Sequence, residues 1–309
     1  MKTIEASVIA SDGVSLVYSL CQADAPKAVI FFLHGLGLNG KTYLPLAVQL
    51  ARAGYVAVLP DMRGCGNSGG APDDVAYIGR HREDVLQLIE VVRAAYPDLP
   101  MFAGAHSVGC SLLMQIPGPV LAGMLGVFLL APVWAGYTDY ARKITGFDHF
   151  VHLTRHWRRA APDALSPLHP QPPTIRALPL AMMLGSWLPK QFGRLATIRS
   201  ESRSTSHAGN SKRQGQRRFT YRHFASLRCG HLHRRLAAWR LPVMVLIGEK
   251  DEFVQPSAVL SMLHWVLHSR VPRMLLEIER ADHATVIFRA GRSVVSWLDS
   301  RLCLAGECR

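Results

Sequence analysis

Residues 101–115 read Met-Phe-Ala-Gly-Ala-His-Ser-Val-Gly-Cys-Ser-Leu-Leu-Met-Gln. The first five are small or apolar and read as a buried strand, and residues 108–115 read as a helix. Ser107 lies between them, with Ala105 two positions before it and Gly109 two positions after. A small-x-Ser-x-Gly pattern between strand and helix has the form of a nucleophile elbow, a strained turn in which bulky neighbours would collide. Ala105 stands where the pattern has glycine, and alanine is small enough for the close approach. A serine before a helix is more commonly only its cap. The strand on one side and the helix on the other favour the nucleophile reading for Ser107. His106, next to it, is read as packing or local hydrogen bonding and not as the base.

Outward from this turn the chain alternates strand and helix. Residues 3–10 and 14–20 read as two strands joined at Asp12-Gly13. Residues 28–33 form a solid apolar run ending in His34-Gly35-Leu36-Gly37, followed by a helix over 41–54 and a buried strand over 55–59. Residues 84–95 carry Val85, Leu88, Ile89 and Val92 on one helical face. Strand 127–131 follows, and after a long middle region come strand 243–247, helix 257–267, strand 274–278 and a closing helix over 286–298. This rhythm predicts an α/β fold, a mostly parallel central sheet with helices on both faces. The rhythm breaks over 136–240, which is rich in Pro, Trp, His and Arg. That stretch is expected to be a cap inserted over the carboxyl edge of the sheet, between core parts 1–135 and 241–309.

A serine hydroxyl needs a base within reach, and the base needs a partner that sets its tautomer. In this architecture the chain order is Ser, then Asp or Glu, then His. Asp251 follows strand 243–247 in Gly248-Glu249-Lys250-Asp251, and His283 follows strand 274–278 in Ala281-Asp282-His283. Both lie on loops just past strand carboxyl ends, so Ser107, Asp251 and His283 can converge. Glu249, Glu252 and Asp282 are rivals for the acid. The Val108 amide is the expected first oxyanion donor, and the Leu36 amide, between two glycines, the second. His34 is read as a buttress of its turn.

These residues resemble a known group. The His34-Gly35-Leu36-Gly37 turn, the turn from Asp61 through Arg63, Gly64 and Gly66 to Ser68, the serine elbow and Gly248-Glu249-Lys250-Asp251 together look like the monoacylglycerol lipase and lysophospholipase branch of the α/β-hydrolases, also grouped with serine aminopeptidase-like hydrolases. The resemblance covers residues 11–133 and 241–298 and does not extend convincingly through the cap. It implies an α/β-hydrolase fold and cofactor-free hydrolysis of carboxylic esters, often of a lipid with one chain. A thioesterase or an aminopeptidase would use the same triad, and a chain with a disrupted cap would be an inactive or unstable relative. The 61–68 turn is expected to be structural, with Arg63 paired to a nearby acid or carbonyl.

The formal net charge of +13 suggests nucleic acid or an anionic surface until its distribution is read. Residues 190–235 hold twelve Lys or Arg against one acid, Glu201, so eleven of the thirteen charges belong to that stretch. The remainder is nearly neutral, and no nucleic-acid partner is expected. The basic stretch carries little periodicity. It fits a loop touching phosphates or acidic lipids, a solvated excursion, or a segment translated out of frame. Residues 178–188 are apolar and flanked by prolines, and they read as a lid lining an acyl pocket, with cap core as the alternative; peripheral membrane contact is open to the cap as a whole. The run 120–136 lacks charges, but its Gly and Pro divide it into short buried elements and not a spanning helix. His149, His152 and His156 share a helical face, but no Cys or carboxylate completes a metal set, and no metal or cofactor is expected. The six cysteines show no Cys-x-x-Cys spacing and read as free thiols in a reducing compartment, with one oxidised pair as the alternative. The first twenty residues lack the unbroken apolar run of a signal peptide, which points to the cytoplasm.

Overall fold

The structure, a computed structural model, describes residues 2–134, 197–200 and 217–307. The histidine trio 149, 152 and 156, the lid stretch 178–188 and most of the expected cap lie outside the described residues.

Strands β1 (Lys2–Ile9) and β2 (Ser15–Gln22) form an antiparallel hairpin. Strands β3 (Ala28–Leu33), β4 (Tyr55–Pro60), β5 (Met101–His106) and β6 (Gly126–Leu130) follow. A separate antiparallel pair is made by β7 (Thr197–Ser200) and β8 (Arg217–Thr220). Strands β9 (Val243–Gly248) and β10 (Arg273–Ile278) complete the set. Among the described residues the main sheet has eight strands in the order β1-β2-β4-β3-β5-β6-β9-β10. From β4 to β10 all neighbours are parallel.

The central strands are wholly apolar because both faces of the sheet are covered. Side chains alternate between two hydrophobic layers: Val29, Phe31 and Leu33 of β3 face one, while Ala28, Ile30 and Phe32 face the other. Strand β9 divides in the same way, Val243, Val245 and Ile247 against Met244 and Leu246. Each fully buried Leu, Ile or Phe contributes about 1.5–3 kcal/mol, so the alternation pins the register of every central strand.

Helix α1 (Leu44–Arg52) starts later than the sequence predicts. Pro45 has no N–H to give to the carbonyl four residues back, so residues Gly40–Tyr43 form a 3-10 turn and α-helix begins at Leu44. Helices α2 (Arg80–Ala95), α3 (Gly109–Leu113) and α4 (Gly118–Ala122) follow. The charge-free run thus becomes α4 and β6, and no helix among the described residues is long and apolar enough to cross a membrane. Helix α5 (Tyr221–Leu227) and helix α6 (Leu232–Ala238) come from the basic stretch. They are better patterned than its composition predicts: Phe224 and Leu227, then Leu232 and Leu236, join the same hydrophobic layer as β3 and β5. Helix α7 (Pro256–Val266) precedes β10. The expected closing helix is divided into α8 (Val286–Arg289) and α9 (Gly291–Leu304), the second running six residues past the expected end. Cys21, Cys65, Cys110 and Cys229 are buried thiols, whereas Cys303 is disulfide-bonded, a departure for which spacing gave no sign.

Candidate active site

The strand order reverses around β3, which has β4 on one side and β5 on the other. The crevice at the carboxyl ends of β3 and β5 is therefore the topological switch point, where ligands bind in open α/β sheets. Three sets of loops meet there: the one after β3, the elbow after β5, and those after β9 and β10.

Ser107 sits at the elbow with a left-handed backbone, φ +54°. A non-glycine residue pays for that conformation unless its surroundings hold it. The holding bonds are the Ser107 N–H to the Leu130 carbonyl, 3.0 Å, and the Val133 N–H to the Ser107 carbonyl, 3.1 Å. Two glycines make room. A Cβ on Gly109 would lie 2.6 Å from the His34 carbonyl oxygen, and one on Gly35 would lie 3.1 Å from the Ser107 Cβ. Both positions require close backbone approach between the β3 loop and the elbow.

His283 Nε2 lies 2.8 Å from Ser107 Oγ, and His283 Nδ1 lies 2.9 Å from Asp251 Oδ2. The carboxylate can only accept, so Nδ1 carries the proton and Nε2 presents its lone pair to the serine hydroxyl. The other Asp251 oxygen accepts the Phe253 and Val254 amides, both at 2.9 Å, which fixes the carboxylate from behind. The three rival acids are occupied elsewhere: Glu249 accepts the Arg280 amide, Glu252 the His283 amide and Asp282 the Ala284 and Thr285 amides. All three groups of the Ser107, Asp251 and His283 set are buried. Burial alone would push the His283 imidazole down. The Asp251 charge and hydrogen bond, joined by the Glu252 and Asp282 charges, outweigh it, and the net shift is upward from 6.5. The Phe253 ring packs edge-on against His283, 4.6 Å between centroids.

The Leu36 and Val108 amides make no hydrogen bond among the described residues, unlike the neighbouring Gly35 N–H, which donates to Tyr43 Oη at 2.9 Å. Leu36 lies in the loop after β3, and Val108 lies in the elbow directly after Ser107.

His106 and Tyr43 extend the arrangement. The Tyr43 hydroxyl lies 2.8 Å from His106 Nδ1, and His106 Nε2 lies 2.9 Å from the His283 carbonyl. The sequence reading of His106 as a local hydrogen-bonding residue agrees with this. Tyr43 carried no sequence signal; only its predicted position one turn into a helix near the β3 loop could have raised it. His34 holds its own turn to the next: the Met62 amide donates to its Nε2 at 2.9 Å, and its Nδ1 lies 2.7 Å from the Gly35 carbonyl.

The 61–68 turn is held internally. Asp61 accepts the Gly40 and Asn67 amides at 2.7 Å each, and Ser68 Oγ donates to the Asp61 carbonyl at 2.6 Å. Arg63 makes a fork to Asp84, 2.7 and 2.8 Å, and a second to Asp12, 3.0 and 3.1 Å. Among the described residues no cluster of three or more His, Cys, Asp or Glu is placed to hold a metal.

Comparisons with known proteins agree with this architecture. A family model described as serine aminopeptidase, S33, matches residues 24–285. A monoglyceride lipase homolog of Monkeypox virus is 31% identical over 110 residues, 35% of this chain and 39% of that one. The monoglyceride lipase of Mus musculus is 31% identical over 108 residues, 35% of this chain and 36% of that one. The chain thus spans less than two-fifths of the length of these curated relatives. A soluble variant of monoglyceride lipase from Saccharomyces cerevisiae superposes with a TM-score of 0.67 at 14% identity, over 96% of this chain and 94% of that one. With an eight-stranded, mostly parallel sheet of α/β-hydrolase type and a family match over residues 24–285, the chain belongs to the serine aminopeptidase S33 family.

Proposed function

We propose that this protein is a serine hydrolase of carboxylic esters, with Ser107 as nucleophile, His283 as general base and Asp251 as the orienting acid. The observation that carries the reading is the chain from Ser107 Oγ to His283 Nε2 at 2.8 Å and from His283 Nδ1 to Asp251 at 2.9 Å, on a serine held at φ +54°. In the proposed cycle His283 Nε2 takes the hydroxyl proton as Ser107 Oγ attacks the ester carbonyl. The Leu36 and Val108 amides hold the tetrahedral oxyanion. His283 passes the proton to the departing alcohol, leaving an acyl-serine. Water then gives a proton to His283 and its oxygen to the acyl carbon. The acid departs, and Ser107 recovers its proton.

The proposed substrate is an ester with one fatty chain, such as a monoacylglycerol or a lysophospholipid. The names of the viral and mouse relatives support that class. The family's description supports a second reading, hydrolysis of aminoacyl amides by the same residues. In the same reading residues 136–240 are a cap inserted between core parts 1–135 and 241–309, and Phe219, Phe224, Leu227, Leu232, Leu236 and Trp239 at its described end pack into the core.

A fluorophosphonate probe tests the chemistry. It should label the protein, and Ser107→Ala should abolish both labelling and turnover, a loss of about 10⁶-fold in kcat for such a nucleophile. Labelling that survives Ser107→Ala would overturn the assignment. p-Nitrophenyl esters of graded chain length, run beside aminoacyl amides, separate the two substrate classes.

A further inference from the structure

The hydrogen bonds around His106 have only one consistent direction. The His283 carbonyl can only accept, so His106 Nε2, 2.9 Å away, must carry the proton. His106 Nδ1 is then a bare lone pair and accepts from the Tyr43 hydroxyl at 2.8 Å. The Tyr43 oxygen in turn accepts the Gly35 N–H at 2.9 Å. The result is a one-way chain from the Gly35 amide, through Tyr43 and His106, to the backbone of the general base. It joins the loop after β3, the elbow after β5 and the loop after β10, which no covalent neighbour connects.

We propose that Tyr43 and His106 are positioning residues that hold the oxyanion turn and the His283 loop in register with Ser107. The inference rests on the hydrolase reading above. It also explains why the serine is preceded by a histidine that takes no part in proton transfer. The two rings, His106 and His283, stand 4.9 Å apart. A proton on His106 Nδ1 would break the Tyr43 bond and set a like charge beside the imidazolium that His283 must form. The surroundings oppose that proton. Burial first, and then the neighbouring His283, hold His106 down to about 3, with His34 acting in the same sense and Asp251 against it. Burial also raises the Tyr43 phenol far above its ordinary value, so Tyr43 remains a donor throughout the working range. Gly35 completes the fit, since a Cβ there would meet His106 Nδ1 and Ser107 Cβ, each at 3.1 Å.

Tyr43→Phe tests the chain. It removes one oxygen from a buried ring, and kcat should fall about 10- to 100-fold while KM changes less than about threefold, since only the alignment of reacting groups is lost. The loss should appear across the whole pH–kcat profile, because burial and His283 still hold His106 neutral when the hydroxyl is gone. A tyrosine that only fills space would leave both kcat and KM of the folded variant at their wild-type values. Wild-type kcat in the folded variant would overturn the proposal. Should the variant fail to fold, imidazole ¹⁵N shifts of the wild-type protein decide: the proposal requires His106 protonated on Nε2 and bare on Nδ1, unchanged from pH 8 to pH 5. The reverse tautomer, or titration in that range, would sink it. Failure of the hydrolase reading shows itself separately, as a wild-type protein that neither takes up the fluorophosphonate probe nor cleaves any ester.

Discussion

Two pairs of buried histidines face each other in this molecule at nearly the same separation. His106 and His283 lie 4.9 Å apart between ring centres at the candidate site, and His81 and His223 lie 4.8 Å apart where α2 meets α5. Their chemistry differs because their other neighbours differ. At the site, Asp251 meets the far nitrogen of His283 and turns the penalty of burial into a net upward shift. At the seam, no carboxylate contacts the His81 ring among the described residues. Burial, the facing His223, His34 and Arg63 all press it down, and its Nδ1 has no partner among the described residues. One imidazole is set to accept a proton, and the other is held neutral. Burial and pairing do not make a general base; a carboxylate on the second nitrogen does.

Asp251→Asn breaks this contrast most directly, since it makes His283 resemble His81. The amide no longer selects the Nδ1–H tautomer, and kcat should fall roughly 10⁴-fold. The sign of the pH effect follows from the shift. As the proposed base His283 must be neutral to act, so wild-type activity should decline as pH falls through a value above 6.5. In the variant that limb should move to lower pH. A limb that stays in place while kcat collapses would mean that another group sets it.

A smaller effect is expected at the seam, and on stability instead of rate. Arg222 and Asp74 form a buried ion pair at 2.5 Å, and Thr220 Oγ1 donates to the same carboxylate at 2.6 Å. Arg222→Met takes the guanidinium away from the buried Asp74 carboxylate and should cost about 3–5 kcal/mol in urea unfolding. The kcat of the folded fraction should stay within about twofold, because single changes far from the chemistry act independently of it. A large drop in kcat would show that α5 is part of the site and not only of its support.

The smallest effect concerns His81 itself. Folding holds it neutral, so below about pH 6.5 the unfolded chain takes up a proton that the folded chain refuses. Stability therefore declines as pH falls, by about 1.4 kcal/mol per pH unit for one such group. The raised His283 contributes a slope of the opposite sign, but wild type and variant share it. His81→Phe should thus gain about 2 kcal/mol on the wild type between pH 7 and pH 5, relative to their difference at pH 7, in urea melts. Equal pH dependence in the two proteins would place the acid sensitivity elsewhere.

Much of this was legible in order along the chain. Apolar runs at 28–33, 101–105, 127–131 and 243–247 became β3, β5, β6 and β9, because a strand buried on both faces must be apolar throughout. Ser107, Asp251 and His283 were placed by their position just after strands, and strand ends converge on one edge of a parallel sheet. The helix starts were less legible, since Pro45 and the break at Ala290 act through local hydrogen bonds that apolar spacing does not register. The end of the basic stretch was misleading, because its six arginines between Arg217 and Arg235 outnumber Phe224, Leu227 and Leu232 although those apolar residues do the packing.

By itself, then, the amino-acid order determined the sheet, the elbow and the candidate base, and it narrowed the acid to Asp251 and three rivals, all from patterns a few residues long. Tertiary structure alone chose Asp251 over Glu249, Glu252 and Asp282, and it alone joined Tyr43 to His106 and His106 to the His283 backbone across 63 and 177 residues. A hydrogen bond depends on a separation of about 3 Å and on direction, and neither is encoded in the spacing of residues that the fold must first bring together.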